Sequence, residues 1–267
     1  VFYLQNVARL AAILRQTGLN VRLGSLSEEI KKPTNVDLPD GQRLVLEPLV
    51  RLGLKGRRLG LKDFDPCSIL LNNDLSAGVP EILKNIHEQY VLPPLHAGWS
   101  TRRKSNHFAA YDDVIKKFTK VVDIDPWLLN PYFSTVKNVD FNERIGEEEL
   151  QDKAAALLKK IAKKYKQMGI KEKPYVVVKP DAGTYGMGIM SIHDASELKE
   201  LNRRDRNKMS VIKEGLEVHD IIIQEGVHTF EKVNEAVAEP VVYMIDRYVV
   251  GGFYRVHTGR GPVSYTH

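Results

Sequence analysis

The stretch from Pro174 to Met190 constrains the fold of this chain more than any other part of its sequence. It begins with three valines at 176–178, which predict a short buried strand, and Lys179 follows them directly. Three closely spaced glycines come next: Gly183, Gly186 and Gly188. Glycines this close allow backbone N–H groups to turn toward an anion, and a lysine at the root of the loop adds a positive charge. The stretch therefore suggests a phosphate-binding loop.

The order of the residues distinguishes this loop from two better-known ones. The lysine precedes the glycines, so the stretch is not a Walker A loop. The spacing is Gly-x-x-Gly-x-Gly and no helix clearly opens behind it, so it is not a dinucleotide fingerprint either. On spacing alone, a glycine-rich hairpin with a surface lysine explains the stretch as well as a phosphate site does.

Composition indicates an ordinary globular protein of 267 residues, 43% of them hydrophobic and 27% charged. No apolar run approaches the roughly 18–20 residues that a membrane span needs, so we expect no membrane insertion. The single cysteine, Cys67, excludes an internal disulfide and suits a cytoplasmic location. The net charge of +5 fits anionic substrates, but acidic residues are interspersed with the basic ones, so we expect no nucleic-acid binding.

Two other segments carry candidate binding residues. Asn72 and Asn73 follow an apolar run at 67–71, and polar residues at the end of a buried strand can hold a ligand. A simple Asn/Asp turn explains them slightly better. Three consecutive cations precede an amphipathic helix: Arg102, Arg103 and Lys104. Because cations are unfavourable at a helix N-terminus, either an anionic ligand offsets them or they all point into water.

The remaining pattern predicts a mixed α/β chain. Residues 146–168 have the periodicity of a long amphipathic helix, and residues 80–90 predict a helix that starts at a proline. Residues 194–197 are typical of a capping box at the start of another helix. Residues 241–244 and 248–253 predict paired strands around a turn.

Four of these features occur in a set order, namely Lys179, the glycine loop, Gln224-Glu225 after a β-branched run, and Arg255 after the hairpin. This order resembles that of ATP-grasp enzymes. Longer segments, among them Val-Lys-Pro-Asp-Ala-Gly-Thr-Tyr-Gly-Met-Gly-Ile, Ile-Gln-Glu-Gly-Val-His-Thr and Ala-Gly-Trp-Ser-Thr-Arg-Arg-Lys-Ser-Asn-His, are similar to the bacterial ATP-grasp type of glutamate–cysteine ligase. The similarity covers most of the chain.

The resemblance implies a fold and an activity. The fold would be α/β (α+β), with an ATP-grasp fold preceded by an N-terminal α/β substrate-binding domain at 1–135. Residues 136–223 would form the small ATP-grasp subdomain with its loop, and 224–267 the start of a second subdomain. The activity would be ATP-dependent formation of γ-glutamylcysteine through an acyl phosphate, with Mg²⁺ as a further cofactor and small molecules as the partners.

The resemblance also implies roles for individual residues. Lys179 and Arg255 would be catalytic and contact phosphate. The residues that bind ATP would be Lys137, Lys179, Gly183, Thr184, Gly186, Gly188, Gln224, Glu225 and Val227. The residues that hold the amino-acid substrates would be Asn72, Asn73, Arg102, Arg103 and Lys104, since a bidentate arginine suits a carboxylate.

One departure from the family concerns the metal. ATP-grasp enzymes usually bind Mg²⁺ through an acidic residue and an acid-x-Asn pair beyond the arginine, whereas residues 256–267 contain no carboxylate. We therefore expect the given chain to be incomplete or to lack the metal site, and Asp246 fits a turn better than a ligand. Two alternatives remain, another ATP-grasp carboxylate–amine ligase similar to glutathione synthetase and a non-catalytic nucleotide-binding protein.

Overall fold

The structure of the chain is a computed structural model, and it describes residues 2–182, 188–210 and 219–256. The chain divides into two compact units, residues 1–101 and residues 102–267, and each unit has apolar clusters of its own. Both units mix helices with strands, so the α/β prediction is confirmed at this level. Among the described helices, none is both long and apolar enough to cross a membrane.

The first unit is built from one helix and several short strands. In chain order its elements are α1 (Phe2–Gln16), β1 (Leu23–Ser25), β2 (Thr34–Asp37), β3 (Arg43–Pro48), β4 (Val50–Leu52), β5 (Arg58–Gly60), β6 (Ser68–Leu70) and β7 (Tyr90–Leu92). Strand β3 lies between β1, which is parallel to it, and β2, which is antiparallel. Strands β4 and β5 form an antiparallel pair, and β6 and β7 a parallel pair.

The helix predicted at 80–90 is wrong. The structure has only a short 3₁₀ turn at Glu81–Leu83, and the chain then extends at Lys84. Asn85 has a left-handed backbone with φ of 60°, which interrupts a helix. The side chain of Gln89 bonds both backbone groups of Leu59, so tertiary contacts fix this segment in an extended path. Helical periodicity was therefore overridden by pairing with a distant segment.

The second unit carries longer elements. In chain order they are α2 (Lys104–Val122), β8 (Phe133–Val136), α3 (Glu147–Met168), β9 (Val176–Pro180), β10 (Met190–Ile192), α4 (Arg203–Ser210), β11 (Ile221–Glu225), β12 (Lys232–Val233), β13 (Ala236–Ile245) and β14 (Tyr248–Val256). The predicted capping box at Asp194 is confirmed, but it opens a 3₁₀ turn at Ala195–Leu198 rather than a full helix. The predicted hairpin is confirmed as β13 and β14.

A four-stranded antiparallel sheet forms the centre of the second unit, in the order β10-β9-β11-β8. One face packs against α3, whose predicted apolar stripe is confirmed by its buried residues: Leu150, Ala154, Leu157, Ile161 and Tyr165. Acidic residues in the first turn of α3 and Lys166 in its last turn complement the helix dipole. The sheet residues that meet α3 are Val176, Val178, Ile221 and Ile223.

Candidate functional site

Lys179 is the next-to-last residue of the buried strand β9 and is only 3% exposed. It lies opposite Ile222 on β11, and because successive side chains alternate, it faces away from the valines that contact α3. Burial lowers the pKa of Lys179 to about 8, and the nearby ammonium of Lys104 acts in the same direction. A cation held at this desolvation cost is a strong candidate for binding an anion.

The start of α2 is tied to the residues that follow β9. The backbone N–H of Lys104 donates to the carbonyl of Asp181 at 2.9 Å. The Asp181 carboxylate accepts bonds from the Ser105 backbone N–H at 2.7 Å and from the Ser105 hydroxyl at 2.6 Å. Arg103, the residue at the N-cap position, makes no capping bond with its side chain. Asp181 therefore supplies the cap of α2 from a distant part of the chain.

This arrangement answers the question raised by the run of cations. The anion at the N-terminus of α2 is the chain's own Asp181 carboxylate. The Lys104 ammonium is bonded to protein atoms rather than simply solvated. It donates to the carbonyls of Pro180 at 2.8 Å and Ala182 at 3.0 Å. Burial lowers the pKa of Lys104 to about 8, while the Asp181 charge opposes that shift and Arg103 adds to it.

Gln224 lies on the same face of the sheet as Lys179. It is paired with Val177 of β9, two residues before Lys179, and it is 7% exposed. Its side-chain oxygen is buried and has no hydrogen-bond partner among the described residues. A buried amide oxygen without a donor is costly, so this position is suited to a ligand with an N–H or amino group.

Glu225 lies on the opposite face, and its carboxylate is held by other parts of the second unit. It accepts bonds from the Trp127 indole at 2.9 and 3.0 Å and from the Tyr132 backbone N–H at 2.9 Å. Burial raises the pKa of Glu225, although these hydrogen bonds and the charges of Lys160 and Lys164 oppose the rise. Its side chain therefore anchors the strand rather than facing the same side as Gln224.

The backbone after Glu225 is fixed by Tyr175. A Cβ on Gly226 would lie 2.0–2.3 Å from atoms of the Tyr175 ring, so no larger residue fits there without movement. The Tyr175 hydroxyl donates to the carbonyl of Val227 at 3.0 Å, and the Gly226 N–H donates to the Tyr175 carbonyl at 2.9 Å. Val227 itself is 54% exposed, so its side chain is available to a ligand.

The other predicted residues are placed as follows. Gly188 has a φ of +65° and lies close to Pro180, so glycine is required by both backbone and space. Lys137 is exposed and lies just beyond the end of β8. At that end of the sheet, Ile221 is paired with Val136 on one side and with Pro180 on the other. The remaining loop residues, Gly183, Thr184 and Gly186, lie outside the described residues.

Four further predicted residues have other surroundings. Arg255 is on β14, in a separate sheet, and forms an ion pair with Glu239 directly across the hairpin. Asn72 and Asn73 belong to the first unit, where the Asn73 side chain accepts the backbone N–H of Leu75. That bond is typical of a turn, and a ligand role for the two residues stays a prediction. Arg102 is exposed, and its carbonyl accepts a bond from the Arg103 side chain.

Together, the second unit presents one buried ammonium group (Lys179) and one partly buried one (Lys104) beside the start of a glycine-rich loop. The unpaired amide oxygen of Gln224 lies on the same sheet face as Lys179. This combination suits a ligand that has negatively charged groups at one end and an N–H or amino donor at the other. A metal is not placed, because the described part of the chain contains no group of three or more His, Cys, Asp or Glu side chains able to hold one.

The most important residue that the sequence did not assign is Asp181. It stands inside the lysine–glycine segment, and an acid next to a lysine at a strand end could have been a signal. Trp127 and Tyr132 were missed for a different reason. They lie 98 and 93 residues from Glu225 along the chain, so no local pattern relates them to it.

Comparison with known proteins gives two matches. A family model described as glutamate–cysteine ligase matches residues 1–264. A crystal structure from Methylobacillus flagellatus KT, described as "Putative gamma-glutamylcysteine synthetase", is 59% identical in sequence, with a TM-score of 0.84. That match covers 97% of this chain and 60% of the other, so this chain spans less than two thirds of that relative's length. A search of the curated proteins gave no match.

Proposed function

Because the chain belongs to the glutamate–cysteine ligase family, we propose that its protein joins the γ-carboxylate of glutamate to the amine of cysteine in an ATP-dependent reaction. The similarity to a described γ-glutamylcysteine synthetase supports this proposal. The observation that carries it is the pair of lysines at the root of the glycine-rich loop, the buried Lys179 and the partly buried Lys104. The reaction belongs to glutathione biosynthesis, and we place it in the cytoplasm.

The proposal includes an ATP-grasp arrangement. Residues 1–135 are proposed as the substrate-binding domain, 136–223 as the small subdomain and 224–267 as the beginning of the second. The antiparallel sheet that carries Lys179 and the hairpin that follows β11 support a nucleotide-binding unit, and the exact bounds stay part of the proposal. Glutamate, cysteine and ATP are the proposed small-molecule partners. No residue is assigned to Mg²⁺, whose ligands would include the phosphates themselves.

The described residues fit a nucleotide. The ammonium groups of Lys104 and Lys179 would bind the phosphates, because burial makes a second, negatively charged neighbour favourable for each of them. The side-chain oxygen of Gln224 would accept an amino group of the base, which would remove an unpaired buried acceptor. Lys104 was assigned to the amino acids from the sequence, but its contacts at the loop root favour phosphate.

Catalysis would consist of alignment and charge neutralisation, with no nucleophile from the protein. A γ-carboxylate oxygen of glutamate attacks the γ-phosphorus, ADP leaves, and the cysteine amine then displaces phosphate from the acyl phosphate and loses a proton. The lysines would stabilise the negative charge on the transferred group. The loop would cover the acyl phosphate and exclude water, which would otherwise hydrolyse it.

The direct test is substrate-dependent ADP release by the full-length protein. We expect release only when glutamate, cysteine, ATP and Mg²⁺ are all present, with γ-glutamylcysteine as the product in mass spectrometry. An amino-acid panel serves as the control for a different carboxylate–amine ligase. Turnover with another acid–amine pair, and none with glutamate and cysteine, would reject the proposal.

The role of Lys179 can be tested by Lys179→Met, which removes the ammonium and keeps a long apolar stem. We expect turnover to fall by about 100-fold or more, the scale of losing one preorganised charge contact in a dry site. Lys232→Met is the matched control at a mostly exposed lysine. Unchanged ATP-dependent activity in Lys179→Met would contradict the assignment.

A further inference from the structure

We propose that Asp181 is a positioning residue for the phosphate site: its carboxylate fixes the start of α2, so that the Lys104 ammonium stays beside Lys179 at the root of the glycine-rich loop. This inference rests on the proposed function, since it assigns the pair of lysines to a nucleotide. It adds a residue that would not touch the nucleotide itself but would control how one of the two lysines meets it.

Hydrogen bonds run in both directions between the start of α2 and residues 180–182, and we call this set of bonds the latch. Asp181 receives three hydrogen bonds from α2, from the N–H of Lys104 and from the N–H and hydroxyl of Ser105. In return, Lys104 donates to the carbonyls on either side of Asp181, those of Pro180 and Ala182. The N–H of Asp181 donates to the carbonyl of Asp220 at 2.9 Å, which ties the latch to the segment before β11.

The energetics make this latch more than an ordinary cap. Asp181 is 6% exposed, so its carboxylate lies in a region where a charge interacts strongly with its neighbours. Charged groups that act on Lys104 include Asp181, Lys179 and Arg103. The two cations disfavour a protonated Lys104, whereas the Asp181 charge favours it. Asp181 thus contributes to both the position and the charge state of Lys104.

The consequence is a specific pH dependence. The pKa of Lys104 is about 8, so its ammonium is present at neutral pH and is lost as the pH rises through that value. Without the Asp181 charge, the pKa of Lys104 falls further, because a charge that raises it is lost while burial and Arg103 still lower it. The alkaline limit of nucleotide binding should therefore move to lower pH when the carboxylate becomes a neutral amide.

The experiment uses Asp181→Asn in the full-length protein. It measures the KM for ATP across a pH series that extends past pH 8, together with the thermal midpoint. We expect the KM to rise by about tenfold, the scale of one lost charge-assisted hydrogen bond, and the alkaline limit to shift to lower pH. Asp181→Glu keeps the charge and should restore the alkaline limit even where affinity stays reduced.

Two control variants separate positioning from simple stability. Asp194→Asn makes the same change at the cap of an exposed turn, so it should lower the thermal midpoint and leave KM and its pH profile unchanged. Ser105→Ala removes only the hydroxyl bond, so it should raise KM less and leave the alkaline limit in place. It also covers the case in which Asp181→Asn fails to fold.

The outcomes are distinguishable from failure of the proposed function. Wild-type protein that does not bind ATP would overturn both proposals. Wild-type protein that turns over, together with an Asp181→Asn variant that loses only thermal stability, would overturn the positioning role alone. A Ser105→Ala variant with an unchanged KM would count against the latch as well.

Discussion

The central sheet and the β13–β14 hairpin use similar residues and have opposite surroundings. Every residue of β9 and β11 is buried, whereas every residue of β14 is exposed. Both regions are rich in residues that favour strands, namely valine and isoleucine in β9 and β11, and valine and aromatic residues in the hairpin. The difference lies in what covers them, since α3 packs on one face of the sheet. Strand formation is thus encoded locally, but burial depends on distant elements.

The polar residues of the two regions show what this difference means for function. Lys179 and Gln224 are buried, so each imposes a desolvation cost that a bound ligand with complementary polar groups would offset. Arg255 and its partner Glu239 are on the exposed hairpin, where an ion pair costs little and shows little about function. The structure therefore supports a role for Lys179 more strongly than one for Arg255.

The largest effect we predict compares the same substitution in the two regions. Ile223→Ala removes a fully buried side chain that packs with α3, and it should lower the free energy of unfolding by about 2–5 kcal/mol. Ile245→Ala removes a side chain that is 69% exposed, so it should change stability by about 0.5 kcal/mol or less. Urea unfolding of the full-length variants measures both values.

Either of two results would contradict the predicted difference in stability between these variants. If Ile245→Ala costs as much as Ile223→Ala, the hairpin is covered in the protein that was tested. If Ile223→Ala costs as little as Ile245→Ala, the sheet does not form the core of the second unit, and the geometry around Lys179 loses its basis.

A second, smaller effect on stability concerns the carboxyl group of Glu225, in the buried strand β11. Burial raises the pKa of Glu225, so the folded protein holds a proton there more tightly than the unfolded chain does. Wild-type stability should therefore fall as the pH rises from the ordinary carboxyl range toward the raised pKa. Glu225→Gln lacks this dependence, so its stability relative to the wild type should improve as the pH rises.

Urea unfolding at several pH values from acid to neutral tests this prediction, with Glu235→Gln as the control at a fully accessible glutamate. In the opposite trend, Glu225→Gln would become steadily less stable than the wild type as the pH rises. That result would show that the bonds from Trp127 and Tyr132 lower the pKa of Glu225 by more than burial raises it. In that case the buried region would stabilise the ionised carboxylate, and the contrast with the hairpin would be smaller than we infer.

The sequence predicted local features and missed contacts between distant segments. The strand before Lys179, helix α3 and the hairpin follow from periodicity and propensity, which act within a few residues. The failed helix at 80–90 has the same kind of local pattern, but Gln89 bonds Leu59 thirty residues away. At the site, Lys179 was found from its motif, whereas the role of Asp181 depends on Ser105, 76 residues away.

The last prediction concerns a small stability effect at the partly exposed ion pair of the hairpin. Arg255→Gln and Glu239→Gln each break the same pair, and each should cost less than about 1 kcal/mol, because Arg255 is about half exposed and solvent screens the interaction. Their effects on turnover should differ if Arg255 meets a phosphate, as the family resemblance implies. Arg255→Gln should then lower ADP release strongly, whereas Glu239→Gln leaves the guanidinium in place and should lower it little. Equal turnover in the two variants, measured in the full-length protein, would reduce Arg255 to a surface partner of Glu239 and would leave the buried face of the sheet as the sole carrier of the phosphate site.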